Sequence, residues 1–312
     1  MSRTGAELPS LGQLGLFDPG WCQRWTNGKS LWLPTGDERF NPKRHTVRAI
    51  PEQVARAFIS THHYSHSYPA ARLRYGLFEG CHLVGVAVIG QPMHRQVTGK
   101  PFPTLGKTAA ELSRFVLLDP VPPPAESWLL GRVFRLAAAD GLRGLVAFSD
   151  PMPRLAINGQ LIMPGHVGTI YQATNGRYTG RATRRTLVVL PDGTVFSERS
   201  LQKIRGCERA DGEPMSRLVT YGAEPFSPYL PPVGWLPGEW NRLDRWADLD
   251  LRGRRKVWLK HALTSIGARR ARHRGNHRFV WPLGDRSQRR RTVIALDAQP
   301  YPKTTDPWDL AA

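Results

Sequence analysis

The sequence predicts an α/β fold, a mixed sheet flanked by helices and followed by a basic C-terminal extension. Three observations carry this expectation. Between residues 51 and 190, apolar runs of strand length alternate with segments of helical period. One of those runs, GLVAFS at 144–149, is apolar on both alternating sets of positions, as a strand covered on both faces must be. The chain has 312 residues, 40% of them hydrophobic, which is enough to bury a sizeable core.

The elements follow in order. Residues 1–45 are punctuated by glycine and proline around Trp21, Trp25 and Trp32, and read as an irregular arm. Pro51 opens a helix, PEQVARAFISTHHY, with Val54, Ala55, Phe58 and Ile59 on one face. Two apolar runs at 73–78 and 82–89 flank Glu79, Gly80 and Cys81, a hairpin. ELSRFVLLD (111–119) is a third strand, stopped by PVPPP. A helix is expected over 127–140, ended by Gly141, and leads into the strand GLVAFS. Past a loop with Pro151, Pro153 and Pro164, GHVGTIYQATNGRYTG reads as a helix with a glycine-rich exit into a strand at 186–190. The core is therefore expected over 46–190. Residues 191–275 read as a Pro-rich and basic insertion with a short basic helix near 200–205, and 276–312 as C-terminal strands (278–283, 292–296) and a basic tail completing the core.

Composition limits the function. The formal net charge is +19, and from residue 252 to the end fifteen Lys/Arg face four Asp/Glu. Such a field attracts polyanions, of which double-stranded DNA or RNA is the commonest inside a cell, although a GC-rich genome would give a similar arginine-rich composition. No run reaches the roughly 18–20 apolar residues of a membrane span, and the N-terminus lacks a basic and then apolar leader, so no membrane role and a cytoplasmic setting are expected. Three distant cysteines, Cys22, Cys81 and Cys207, make neither a disulfide framework nor a zinc ribbon.

Several side chains invite chemistry. Asp150 directly follows GLVAFS, at the carboxyl end of a strand where α/β sheets hold ligands; the alternative is that it only begins the turn before Pro151. A carboxylate there would take a proton from an amine nucleophile such as adenine N6, whose lone pair is delocalised into the ring. His62, His63 and His66 lack a neighbouring cysteine or carboxylate to complete a metal set, so no metal is assigned; His63 with Tyr64 reads as a pair for proton transfer or stacking, or as a helix end favouring histidine. Tyr171 is either a proton donor or a core aromatic. Arg114 puts a charge inside an apolar strand, which needs a carboxylate or a phosphate. Ser127 stands where a helix start offers N–H groups to a pyrophosphate, or is simply a cap; Pro122 and Pro124 contribute no N–H there. Near the C-terminus Trp258, Arg269, Arg270, Arg272, Arg274, Arg278, Trp281 and Arg289–Arg291 interleave cations with aromatics, as DNA binding and base extrusion require.

The succession HHYSH, YGLFEGCHLVGVAVIGQP, ELSRFVLLD, ESWLLGRVFRLA, LVAFSDP, GHVGTIYQATNGRYTG and HRFVWPLGDRSQRRR resembles the Mom family of phage DNA-modification proteins, which have an acyl-CoA N-acyltransferase-like (GNAT) fold. The resemblance spans about 62–190 and 276–303. It implies an acetyl-CoA-linked reaction at adenine N6 giving a methylcarbamoyl-type adduct that shields DNA from host restriction. By motif it implies catalytic roles for His63, Tyr64, Asp150 and Tyr171, and cofactor contacts for Arg114 and Ser127. DNA contacts are expected from Arg278, Arg289, Arg290 and Arg291. Two departures from the family pattern stand out: extra sequence at 151–165 and a long segment at 205–275. Two other readings stay open, an N-acetyltransferase acting on RNA, a small amine or a peptide, and a non-catalytic phage DNA-binding protein.

Overall fold

The computed structural model describes residues 40–63, 65, 67–122, 124–163, 165–234 and 242–307, with the backbone of two further strands at 21–26 and 29–34. Tyr64 and His66 lie outside the described residues. Two compact units result. The first takes in the described residues up to Pro151 with Gly165–Ala182 and Asn276–Thr305; the second takes in Met152–Pro164, Thr183–Gly275 and Asp306 onward.

In chain order, β1 (Trp21–Thr26) pairs antiparallel with β2 (Lys29–Pro34) inside the segment read as an irregular arm. Then come β3 (His45–Ala49), α1 (Glu52–His62), β4 (Ala71–Glu79) and β5 (His82–Gly90). A short α2 (Gln96–Gly99) precedes β6 (Ala109–Leu117), α3 (Pro124–Ala139) and β7 (Gly144–Ser149). The second unit contributes β8 (Arg154–Leu155) and β9 (Leu161–Met163), after which the first resumes with α4 (Thr169–Ala173) and β10 (Arg177–Arg181). The bulk of the second unit is β11 (Arg185–Val189), β12 (Val195–Phe196), α5 (Glu198–Gly206), α6 (Gly212–Thr220), α7 (Arg242–Ala247), α8 (Leu251–Ser265) and β13 (Arg269–His273). The first unit ends with β14 (His277–Pro282) and α9 (Arg286–Arg291).

In the first unit a seven-stranded sheet runs in the order β10-β14-β7-β6-β5-β4-β3. It is antiparallel except between β6 and β7, which are parallel. That pairing covers only Ala109–Glu111 against Gly144–Val146, so the two central strands part beyond Glu111 and Val146. On the other side of β6 the register with β5 slips between Val88 and Ile89, leaving Ser113 as an extra residue on β6. Such a bulge turns the strand away from its straight course just where β7 leaves it.

Period-2 alternation sorts side chains to the two faces. Leu77, Ala87, Leu112, Ala147, Phe279 and Trp281 pack under α3, whose buried residues are Ala125, Leu129, Leu130, Val133 and Ala137. The opposite face sets Val86, Val88 and Val116 against Ala55 and Ile59 of α1. Tyr75 fastens β4 to the end of α3, its hydroxyl donating to Asp140 Oδ2 at 2.6 Å. Burial and that bond push the Tyr75 phenol far above its ordinary range.

The second unit has a three-stranded antiparallel sheet in the order β12-β11-β13. Phe196, Leu201, Ile204, Leu218, Trp258 and Leu259 form its larger core, and Trp258 Nε1 donates to the Glu224 carbonyl at 2.8 Å. Met152, Leu187, Val189 and Ala271 form a second, smaller cluster.

Three elements differ from the sequence expectation. The segment at 292–296 makes no strand; Ile294 is tucked against Phe102 and Val146, Thr292 N donates back to the Gln288 carbonyl of α9, and Ala295 N donates to the Pro101 carbonyl. The glycine-rich exit after Tyr171 is itself β10, because Gly176 and Gly180 let the chain pass close to Trp281 and Gln299. The strand expected at 186–190 does form, as β11, yet its buried residues serve the second unit.

Candidate active site at the parting of β6 and β7

β7 ends in Ser149, and Asp150 follows it into the loop, both buried. The β7–β14 register sets Ser149 opposite His277. Phe279 lies two residues further along the same face of β14, and Tyr178 of β10 joins it, its hydroxyl 2.8 Å from His277 Nδ1. Ser149 Oγ is fully buried and has no hydrogen-bond partner among the described residues. A buried hydroxyl without a partner costs about 1–3 kcal/mol, so this one marks a place where a polar group is wanted.

The chain returns to this place through two left-handed glycines, Gly165 (φ 74°) and Gly168 (φ 75°). Between them His166 N donates to the Asp150 carbonyl at 2.8 Å, closing the loop over the strand end. Gly168 begins α4 against Phe279, Ser149 and Tyr171: a Cβ there would stand 2.7 Å from Phe279 and 3.0 Å from Ser149 Oγ. Tyr171 is buried, its ring 5.4 Å from that of Phe279 and 5.6 Å from that of Trp281. Tyr171 thus packs on Phe279 beside Gly168 and Ser149, with Tyr178 and His277 on the same face, while Asp150 follows Ser149 at the strand end; Ser149, Tyr178 and His277 were not singled out from sequence. The signal for them was weak: alternation in HRFVWP marks His277 as sharing the face of Phe279, but no pattern names its partner.

On the α1 side, His63 is buried and caps the helix, its N–H donating to the Ile59 carbonyl. The Ser65 backbone N–H donates to His63 Nδ1 at 3.1 Å, and Ser65 Oγ lies 2.9 Å from the same nitrogen. A backbone donor fixes Nδ1 as the acceptor, so the neutral ring carries its proton on Nε2. Next to it, burial lowers the pKa of His62, with Asp119 opposing. Arg114 secures the following segment to β6, donating from Nε to the Ser67 carbonyl (2.9 Å) and from Nη2 to Ser67 Oγ (2.8 Å). Glu111, the last residue of β6 paired with β7, has a carboxyl pushed upward by burial against the pull of Arg114.

The remaining expected residues lie elsewhere. Ser127 is in the first turn of α3, not at its cap, and its hydroxyl donates back to the Pro124 carbonyl at 3.2 Å. Arg278 is partly buried on β14, opposite Phe148, and donates to the Arg181 carbonyl at 3.5 Å; burial lowers its pKa, with Tyr178 opposing. Arg289, Arg290 and Arg291 are exposed on α9, whose start is a capping box between Asp285 and Gln288. Among the described residues no three His, Cys, Asp or Glu side chains gather as a metal set, and no helix is long and apolar enough to cross a membrane.

Residues 44–221, more than half of the 312, match the sequence profile of the Mom protein family. This chain belongs to the Mom family. His63, Arg114, Ser127, Asp150 and Tyr171 fall inside the Mom match, whereas α8, β13, β14 and α9 lie beyond it. No curated protein matches the chain. Among solved structures it is similar to an N-acetyltransferase from Staphylococcus aureus Mu50, with 18% identity, 46% of this chain and 87% of that one covered, and a TM-score of 0.28. It is similar also to a probable acetyltransferase from Staphylococcus epidermidis ATCC 12228, with 9% identity, the same shares covered and a TM-score of 0.27. A tandem GNAT protein from the clavulanic acid biosynthesis pathway gives 11% identity, 78% of this chain and 57% of that one, and a TM-score of 0.27.

Proposed function

We propose that this Mom-family protein is a phage or prophage enzyme that modifies adenine N6 in double-stranded DNA, through an acetyl-CoA-linked reaction giving a methylcarbamoyl-type adduct, and so shields DNA from host restriction. The observation that carries this reading is Asp150: a buried carboxylate at the end of β7, beside the unpartnered hydroxyl of Ser149, in a chain whose residues 44–221 match the family. Carboxyl ends of strands are where α/β sheets hold their ligands.

The chemistry asked of the side chains is modest. As its new N–C bond forms, adenine N6 must lose a proton, which Asp150 accepts. Transfer from a thioester breaks the C–S bond and releases coenzyme A as the thiol, and the nitrogen of a methylcarbamoyl-type adduct comes from a further, nitrogen-bearing reactant. His63, with its proton on Nε2, acts as a hydrogen-bond donor to a developing negative charge rather than as the base, because Nδ1 is already engaged by Ser65. Tyr171, buried against Phe279 and Trp281, is the candidate phenol, and Tyr64 remains a candidate beside His63. The base reaches them only by leaving the helical stack, at a cost of a few kcal/mol that phosphate contacts offset.

Acetyl-CoA would supply an activated thioester. The parting of β6 and β7 offers an extended acyl arm unpaired strand edges, which favours the fit. Ser127 and the first turn of α3 would face its pyrophosphate, although Pro122 and Pro124 lack N–H groups and Glu126 is an acid in that turn. Arg114, bonded to Ser67, would act by holding the His63–Ser67 side of the cleft as much as by meeting the cofactor.

Mass spectrometry of nucleosides from cells expressing the chain tests the reading: a heavier deoxyadenosine is expected. Clean DNA beside soluble, folded protein would refute it, and a modified RNA nucleoside with clean DNA would transfer the activity to RNA. For the donor role, His63→Ala should reduce adduct formation by roughly 10²-fold, the usual effect of losing one such donor. His63→Gln, which keeps an N–H, should retain more activity than His63→Ala; equal loss in both would return His63 to the role of a base.

A further inference from the structure

We propose that the exposed edge of the second unit's sheet, where Arg270, Arg272 and Arg274 project, is a docking surface for the phosphate backbone of duplex DNA. β13 pairs with β11 on one side only and is an edge of the three-stranded sheet. Burial alternates along it and over the two residues that follow: Arg270, Arg272 and Arg274 are exposed, while Ala271, His273 and Gly275 are buried. Arg270 and Arg272 therefore leave one face of the strand two residues, about 6.6–6.8 Å, apart, and the exposed Arg274 follows just past its end. That is about twice the axial rise per phosphate of a single DNA strand, about 3.4 Å. Forked guanidinium donors in such a row offer charge-assisted hydrogen bonds to phosphate oxygens along a strand.

The charge on this row is not neutralised from within. No ion pair or side-chain hydrogen bond engages the guanidinium groups of Arg270, Arg272 or Arg274 among the described residues. Four acids of the same unit are committed elsewhere: Glu208 to Arg199, Glu198 to Arg205, Asp211 to Arg255, and Asp192 to Tyr221 and Thr194. The neighbour across the ladder from Arg272 is Thr186, exposed and uncharged. An exposed strand edge is otherwise a liability for pairing with other chains, and cations along it both prevent that and attract a polyanion.

The other basic run, Arg289–Arg291, has different geometry. Three consecutive residues on a helix point about 100° apart, so they spread around α9 and cannot line one row of phosphates. The strand, not the helix, presents a comb. It lies beyond residues 44–221, so this chain's long second unit supplies it in addition to what the family profile covers. The choice of DNA over RNA rests on the proposed function; the geometry itself specifies a phosphate backbone.

The test measures binding of the full chain to a short duplex DNA by fluorescence anisotropy across salt concentrations. In the triple variant R270Q/R272Q/R274Q the slope of log affinity against log salt should flatten by up to about 2.7, at about 0.9 for each phosphate contact. The triple variant R270K/R272K/R274K, which keeps the charges, should retain the slope. An unchanged slope in the glutamine variant overturns the proposal, as does an equal loss in the lysine variant, which would mean a structural role. A loss confined to single-stranded RNA, with the duplex slope intact, overturns the assignment to DNA. Binding requires no chemistry, so the two readings fail separately: a flattened slope without any adenine adduct keeps this surface and removes the enzyme, and an adduct with an unchanged slope does the reverse.

Discussion

Asp150→Ala is expected to abolish adenine modification while leaving the affinity for duplex DNA nearly unchanged. Asp150 is buried at the end of β7, inside the first unit, and the exposed cations that would grip phosphates are all distant from it in sequence. Removal of a general base lowers a rate by roughly 10²–10⁴-fold, which in a cellular assay reads as no adduct. Alanine also leaves space beside Ser149, so a fall in activity could be confused with a local collapse. Asp150→Asn removes the confusion, because it keeps the size and a hydrogen-bonding head but cannot accept the proton. Both variants should lose the adduct, and Asn should melt within about a degree or two of the parent. Adduct formation that survives in Asp150→Asn would take Asp150 out of the chemistry and leave it as the closing residue of the loop bonded by His166.

Much of the first unit was legible because its strands carry their signals locally. The hairpin of β4 and β5, with Gly80 in a left-handed turn, and the fully apolar β7 announce themselves by pattern alone. Asp150 and Tyr171 could be named for the same reason: each follows a readable element. What could not be read was pairing. The contact of Ser149 with the β14 side of the sheet joins residues separated by more than a hundred positions, with most of the second unit between them. Nor does α8 show its helix plainly, since LRGRRKVWLKHALTS places charges on most of its circumference. Trp258, Leu259 and Ala262 bury a narrow stripe that the basic composition conceals. The arginines at 269–274 were visible as charge, whereas the alternation that separates three exposed from the rest needs the ladder with β11.

Gly168→Ala should be a severely damaging single-methyl change, costing about 2–5 kcal/mol of stability and most of the activity. Two causes add. The backbone at Gly168 is left-handed, φ 75°, which costs an L-residue about 1–2 kcal/mol. The new Cβ would also sit 2.7 Å from Phe279 Cε2 and 3.0 Å from both Ser149 Oγ and Tyr171 Cδ2. None of these can retreat easily: Phe279 is buried in the core under α3, and Tyr171 is wedged against Phe279 and Trp281. Overpacking of this kind costs about 1–3 kcal/mol and moves the side chains it touches. Gly141→Ala isolates the first cause, because Gly141 is also left-handed, φ 90°, but has open space where its Cβ would go. It should lower the melting temperature by the backbone term alone and leave adenine modification intact. Thermal unfolding of the two variants, with nucleoside analysis of each, gives the comparison. If Gly168→Ala proved no worse than Gly141→Ala in both measurements, the close packing of Ser149, Tyr171 and Phe279 around Gly168 would have no part in shaping the site.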